Sequence, residues 1–396
     1  MKKLFFLLIG LAFIAFSCQT RSDFADGEAS YPENFVTEKT AKSLLTEVFE
    51  EPVTRSDGKT AFSKISKTTP VYGADQLPLF YVMNYEGGGF VLLSADNRIE
   101  PVLAYSEENE FPMEELDDAP GIKMWFEDIS IAIEEIKSRK EPQPEYIAAQ
   151  WEPEAIRHFM TCDESDNDEF THIETRSSGE PGPQCTCDWS TKNPITESKD
   201  WHQGADYNIR CPLIGGVRAQ AGCHPIAMAR VMYHHKKPPV YDFDLSHANN
   251  WNGIYQLVAD CGYVIGAVYG TQETSAYMSE IMPAFKNYFG YRSAVWRGDI
   301  NLSIVKSNIN SNRPVYLRGR SNTSGHAWIT DGYKTFVYCV ICYGIYAQLP
   351  GINYLYMKWG WGNMCDGWFR SDPYEWNPTT THSYNNNREM VHDIYY

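Results

Sequence analysis

The chain has 396 residues but lacks a hydrophobic run of membrane-spanning length. Its most apolar stretch, Leu4–Phe16, has 13 residues, whereas a spanning helix needs about 20. Cations are also scarce: 34 Lys and Arg stand against 51 Asp and Glu, a net charge of −17. No segment offers the basic surface that phosphate backbones require, so nucleic acid is excluded as a partner. No repeat occurs at a solenoid or propeller period. The Gly-x-Ser-x-Gly elbow of serine hydrolases is missing. Gly87-Gly88-Gly89 is not followed by Gly-Lys-Ser/Thr and reads as a hairpin turn between strands at Leu79–Met83 and Phe90–Leu93, not as a phosphate loop. With 43% apolar and 14% aromatic residues, neither a disordered chain nor a fibrous repeat fits.

The charge is unevenly spread. Residues 1–100 carry 10 basic and 13 acidic side chains, residues 101–180 carry 6 and 22, and residues 181–396 carry 18 and 16. Nine of the eleven Trp lie after residue 180. Such asymmetry predicts separate parts, not one uniform globule. At the N-terminus, Lys2-Lys3, the short apolar run and Ser17 form a secretory signal over 1–17. Ala15-Phe16-Ser17-Cys18 resembles a bacterial lipobox, which makes Cys18 the expected lipidation site and 18–35 a lipidated tether. The expectation is an exported bacterial protein, held at the outer membrane or cell surface by its lipid or secreted after processing. The other nine cysteines would then sit where disulfides are permitted, and their odd number leaves at least one free thiol.

Residues 36–140 read as a small α+β unit. A helix is expected over Ala41–Glu50, and another over Ile122–Ile136 with Trp125, Phe126, Ile129 and Ile133 on its apolar face. Residues 141–180 form an acidic joint. Its exposed Thr175–Gly182 stretch, with Arg176 and Ser177, is the expected activation cleavage region. Residues 181–396 make a second, aromatic-rich unit.

Within that unit, Cys223–Tyr233 is apolar almost all round, so it predicts a buried helix. Pro225 fits only in a first turn, which fixes Cys223 at the N-terminal end, just after Gly222. A helix N-terminus and a nearby imidazolium both favour a thiolate. His326 is the best-placed imidazole, because Ser324-Gly325 leads into an apolar strand that starts at the His. Taken residue by residue, both also fit as core side chains with no chemical role.

The combination resembles the streptopain family of papain-fold cysteine peptidases, which are made as secreted zymogens. The resemblance is carried by Gln220-Ala221-Gly222-Cys223, Gly325-His326-Ala327-Trp328, Asp331-Gly332-Tyr333, Trp359-Gly360-Trp361-Gly362 and Asp366-Gly367-Trp368-Phe369. Upstream, Phe80–Asn84, Gly87–Val91 and Ser94-Ala95-Asp96 are similar to that family's inhibitory propeptide. The resemblance implies an α+β fold in which a buried helix carrying the Cys packs on an antiparallel sheet carrying the His, preceded by a small α+β propeptide domain that inhibits it. It implies Cys223 as nucleophile, His326 as general base and then acid, and Gln203, in Trp201-His202-Gln203, as oxyanion donor. Gly325 and Trp359 would support the histidine. Neither a cofactor nor a metal is implied, and the partners are protein or peptide substrates. Lys358 stands where the family has Asn before Trp-Gly-Trp-Gly, and an ammonium cannot accept a histidine N–H. That departure motivates an alternative, a catalytically weakened papain-fold lipoprotein that only binds protein. His224 is expected at the surface or in a subsite. A zinc site built on Cys185/Cys187 and Cys339/Cys342 is the remaining rival.

Overall fold

The computed structural model describes residues 31–396, leaving out 52, 55–57, 163–169, 172–183, 198–199, 321–324, 343–344, 349–351, 363 and 372–387. Cys18, Arg176 and Ser177 lie outside the described residues, as do the side chains of Cys185, Cys187, Cys339 and Cys342. In chain order the elements that position the site begin with α1 (Glu38–Val48) and the strands β1 (Ile65–Tyr72), β2 (Pro78–Tyr85), β3 (Phe90–Ser94) and β4 (Val102–Ser106). Helices α2 (Pro120–Lys137) and α3 (Pro153–Thr161) follow, then β5 (Gln184–Lys192), α4 (Cys223–His235) and α5 (Ile254–Val264). The chain ends with β6 (Ser293–Arg297), α6 (Leu302–Asn310), β7 (Val315–Arg320), β8 (Gly325–Cys342), β9 (Ile352–Lys358), β10 (Gly367–Arg370) and β11 (Arg388–Tyr395).

One antiparallel sheet runs through both halves of the chain in the order β6-β11-β7-β8-β9-β10-β4-β3-β2-β1, with β5 paired along β8. The junction is β10 with β4, where Trp368 faces Tyr105 and Phe369 faces Ala104. β2 and β3 are buried on both sides, which is why they read as unbroken apolar runs. Phe80, Val82, Phe90 and Leu92 join the core under α2 and α6, while Tyr81, Met83, Val91 and Leu93 join the core under α1 and α3. Both cores also contain residues from beyond 300, such as Trp328, Phe369, Phe336 and Tyr354.

Residues Asn34–Tyr396 pack as a single compact unit. The stretch read as an acidic joint also contains α3, which starts with Pro153 in its first turn and buries Ile156 and Met160. The amphipathic spacing of that one short helix is masked in the sequence by its acidic surroundings. The helix expected over Ile122–Ile136 is α2, with Ile122, Trp125, Phe126, Ile129, Ile133 and Ile136 buried.

Charged groups tie the halves together. Glu100 pairs with Arg370, both buried, and Trp125 Nε1 donates to the Arg370 carbonyl at 2.9 Å. Lys334, on β8, is also buried. Its ammonium donates to the Phe159 carbonyl at 3.0 Å and the Cys162 carbonyl at 2.9 Å, at the C-terminus of α3. A cation there satisfies terminal carbonyls and complements the helix dipole. Lys334→Met in the full-length chain should therefore lower the unfolding free energy by about 1–3 kcal/mol, the cost of stranding buried carbonyls. The check is the urea midpoint; an unchanged midpoint refutes the clamp.

Candidate active site

The α4 helix is buried from His224 to Tyr233, in keeping with its lack of a polar face. Its N-terminal residue is set by Gly222, which has φ 90° and leaves no room for a side chain: a Cβ there would sit 2.9 Å from the Thr274 methyl. Cys223 is half-buried, with its sulfur approached by the backbone N–H of Ala327, the residue after His326. His224, expected at the surface or in a subsite, is not at the surface. It is buried and bonded through Nδ1 to the Tyr316 hydroxyl on β7, and burial pushes its pKa down to about 3. Successive side chains on a helix diverge, so His224 is directed at the sheet.

His326 is the second residue of β8 and is fully buried. Its Nε2 lies 2.7 Å from the Trp359 carbonyl oxygen. A carbonyl only accepts, so Nε2 carries the proton. The ring stacks with Trp328 and with Trp361, at interplanar angles of 11° and 14°. Gly121, in the first turn of α2, lies against the same ring. A Cβ at 121 would strike His326 and come within 3.0 Å of Trp359 Cε3. No hydrogen bond joins Cys223 to His326 among the described residues.

The electrostatics follow from that geometry. Burial pushes the Cys223 thiol up to about 11, against the backbone N–H groups of Ala327, His224 and Cys223 itself, which favour the thiolate. Burial also pushes His326 down to about 4, against its bond to Trp359. Both groups are neutral at pH 7, so of the two aids to a thiolate only the helix N-terminus is in place. The missing ingredient is an imidazolium beside it.

Gln203 is buried, and its Nε2 has no hydrogen-bond partner among the described residues. Its backbone carbonyl accepts from Ala221 N–H at 2.7 Å, tying it to the segment that enters Cys223. Next to it, the Trp201 carbonyl accepts from Gly362 N–H at 2.7 Å, which anchors the Trp359–Gly362 turn. A buried donor left open is the feature an oxyanion needs. Gly325 pairs with Arg320, where β7 ends and β8 begins.

Lys358 does not face the imidazole. It is buried in an ion pair with Asp331 at 3.0 Å and donates to the Thr196 carbonyl at 2.8 Å and hydroxyl at 2.7 Å. Three residues that the motif reading did not single out support the histidine's acceptor. The Asp366 carboxylate accepts the Trp359 N–H at 2.8 Å, Arg230 of α4 approaches Asp366 at 3.5 Å, and Gly121 covers the ring. Burial outweighs Arg230 and Lys358 and holds Asp366 up at about 6. The two aspartates lie inside quoted motifs, but nothing local says which groups they meet. Cys162, Cys211, Cys261 and Cys365 are buried free thiols among the described residues.

A family model described as Peptidase C10 family matches residues 239–369, which include His326 and Trp359 and begin downstream of Cys223 and Gln203. A second, described as Spi protease inhibitor, matches residues 33–133, which include Gly121. Streptopain from Streptococcus pyogenes serotype M1 is 25% identical over 350 residues, covering 74% of this chain and 73% of its own. The thiol protease/hemagglutinin PrtT of Porphyromonas gingivalis is 22% identical and is covered over 33% of its length. Among solved structures, a prointerpain A fragment from Prevotella intermedia shares the fold, with a TM-score of 0.53, 20% identity and coverage of 83% of this chain and 99% of that one. With an inhibitor-like region ahead of a peptidase region, on a fold shared with a proenzyme, the chain is a cysteine-type peptidase similar to streptopain.

Proposed function

We propose that this peptidase is an exported zymogen that hydrolyses peptide bonds through Cys223 and His326, and that the described conformation is its latent form. The approach of the Ala327 N–H to the Cys223 sulfur supports the dyad most, since it brings thiol and imidazole to within one residue along β8. In the working state the imidazole leaves the Trp359 carbonyl and turns toward the sulfur. It then takes the thiol proton, and the thiolate attacks the peptide carbonyl. Gln203 Nε2 and the Cys223 backbone N–H donate to the developing oxyanion. His326 returns the proton to the leaving amine, and water, activated by the same ring, hydrolyses the thioester.

The first turn of α2 opposes that rotation because Gly121 rests on the ring. Cleavage near Arg176 and Ser177 and departure of the upstream residues would release it. Export by the 1–17 signal and lipidation at Cys18 complete the reading. The alternative, a weakened binding module, rested on Lys358. Its side chain is engaged with Asp331 and Thr196 and leaves the His326–Trp359 contact intact.

Four outcomes are expected. Cys223→Ala should abolish casein hydrolysis and self-processing, while Gln203→Ala should lower kcat by about 100-fold or more; a Cys223→Ala variant that matures and digests normally refutes the dyad. Alkylation of Cys223 by iodoacetamide, followed by peptide mapping, should be slow in the full-length chain, where a thiol near 11 is ionised in only about 1 molecule in 3,000 at pH 7.5. Its rate should rise about tenfold per pH unit toward 11 and jump by at least about 100-fold at pH 7.5 once the propeptide is gone. Lys358→Asn should destabilise the chain by about 3–5 kcal/mol, because it leaves Asp331 buried without its cation. A gain in activity without loss of stability in that variant would favour the binding-module reading.

A further inference from the structure

Three strands at the active-site end of the sheet lie side by side, and their register places three residues in a row. Arg388 on β11 faces Gly319 on β7, and Gly319 faces His326 on β8. Directly paired residues project from one face, and neighbouring strands are about 4.8 Å apart. A strip roughly 10 Å wide therefore runs from the imidazole to the guanidinium, with only a glycine between them. Helix α4 packs against the opposite face, on Tyr316, Ala327 and Ile329. Seen from Cys223, the strip lies beyond the imidazole.

In the latent form α2 fills this strip with one of its faces. Gly121 rests on His326, Met124 lies over Gly319 with its sulfur 2.7 Å from Arg388 Nη1, and Asp128 pairs with Arg388 Nη2. Spacings of three and seven residues put these side chains on one side of a helix. The fit depends on the glycine, because a Cβ at 319 would strike Arg388 and reach within 3.0 Å of Met124 Cε. Both side-chain partners of Arg388 among the described residues belong to α2. Burial holds the Asp128 carboxyl above its ordinary range despite the guanidinium, so the pair contributes orientation more than stability.

We propose that this strip is a substrate subsite of the mature peptidase on the leaving-group side, taking an apolar side chain over Gly319 and a carboxylate at Arg388. The inference rests on the proposed dyad. The leaving amine receives its proton from His326, so the polypeptide downstream of the scissile bond must pass on the imidazole's side of the sulfur. An extended chain advances about 3.3 Å per residue, which brings Arg388 within reach of the second or third downstream residue. In the zymogen, Met124 and Asp128 present that same pair of chemistries from a helix, a backbone form that does not offer a scissile bond to Cys223.

The test uses the self-processed enzyme and internally quenched peptides that share one upstream segment and carry Asp, Asn or Lys at the second or third downstream position. The Asp peptide should exceed the Lys peptide in kcat/KM by roughly three- to tenfold, with Asn between them. Arg388→Glu should invert that order. Equal rates for the three peptides at both positions, or an order unchanged in Arg388→Glu, would overturn the subsite. The wild-type profile decides on its own if the variant does not fold. A wild type that cleaves none of the peptides and no casein, or a Cys223→Ala enzyme that cleaves them, removes the dyad and the subsite together. Flat selectivity in an active enzyme removes only the subsite.

Discussion

The contact between Gly121 and the imidazole of His326 is the constraint around which the rest of this molecule is arranged. A helix can lie on an imidazole ring only where it carries no side chain, and α2 presents a glycine there. The ring stacks with two tryptophans and donates its Nε2–H to the Trp359 carbonyl. That carbonyl is itself held, because Asp366 takes the N–H of the same residue and Arg230 of the Cys223 helix balances Asp366. The helix that carries the thiol thus helps to position the acceptor that occupies the imidazole. In this state neither group is charged, and a neutral thiol is a poor nucleophile.

Holding α2 in place takes more than one contact. The sheet continues from β10 into β4, and both apolar cores under it mix residues from the two ends of the chain. Polar groups cross the same boundary: Glu100 to Arg370, Asp128 to Arg388, and the Lys334 ammonium to the last carbonyls of α3. In each case the cation lies on the later, near-neutral part of the chain and its acceptors on the earlier part, with Asp128 the one carboxylate among them from residues 101–180. The acidity of residues 101–180 is therefore more than solvation, since some of it is spent on docking.

Elements whose apolar pattern is local could be read from the sequence. The five-residue apolar run at Leu79–Met83, the 3–4 spacing from Ile122 to Ile136 and the all-round apolar helix after Cys223 each appear where their patterns put them. The residues expected to carry the chemistry also stood out by type, although their orientation did not. What could not be read depends on distant partners. Lys358 looked like a fault in the histidine's support until its pairing with Asp331, 27 positions away, appeared. Gly121 is one of 28 glycines and gives no local sign of the ring above it. The α3 helix is a nine-residue segment amid carboxylates, too short and too charged to announce itself.

The shared sheet has a further consequence. β4 covers the outer edge of β10, a four-residue strand bearing Trp368 and Phe369. Removing the first part of the chain would leave that edge with unpaired backbone donors and acceptors beside two large aromatics, an arrangement prone to pairing with other chains. Its shortness limits the hazard, but the time of exposure matters as well. As long as β4 stays in place, newly made molecules can accumulate and fold without meeting one another edge to edge. The segment that keeps the enzyme silent also keeps it from sticking to its own kind.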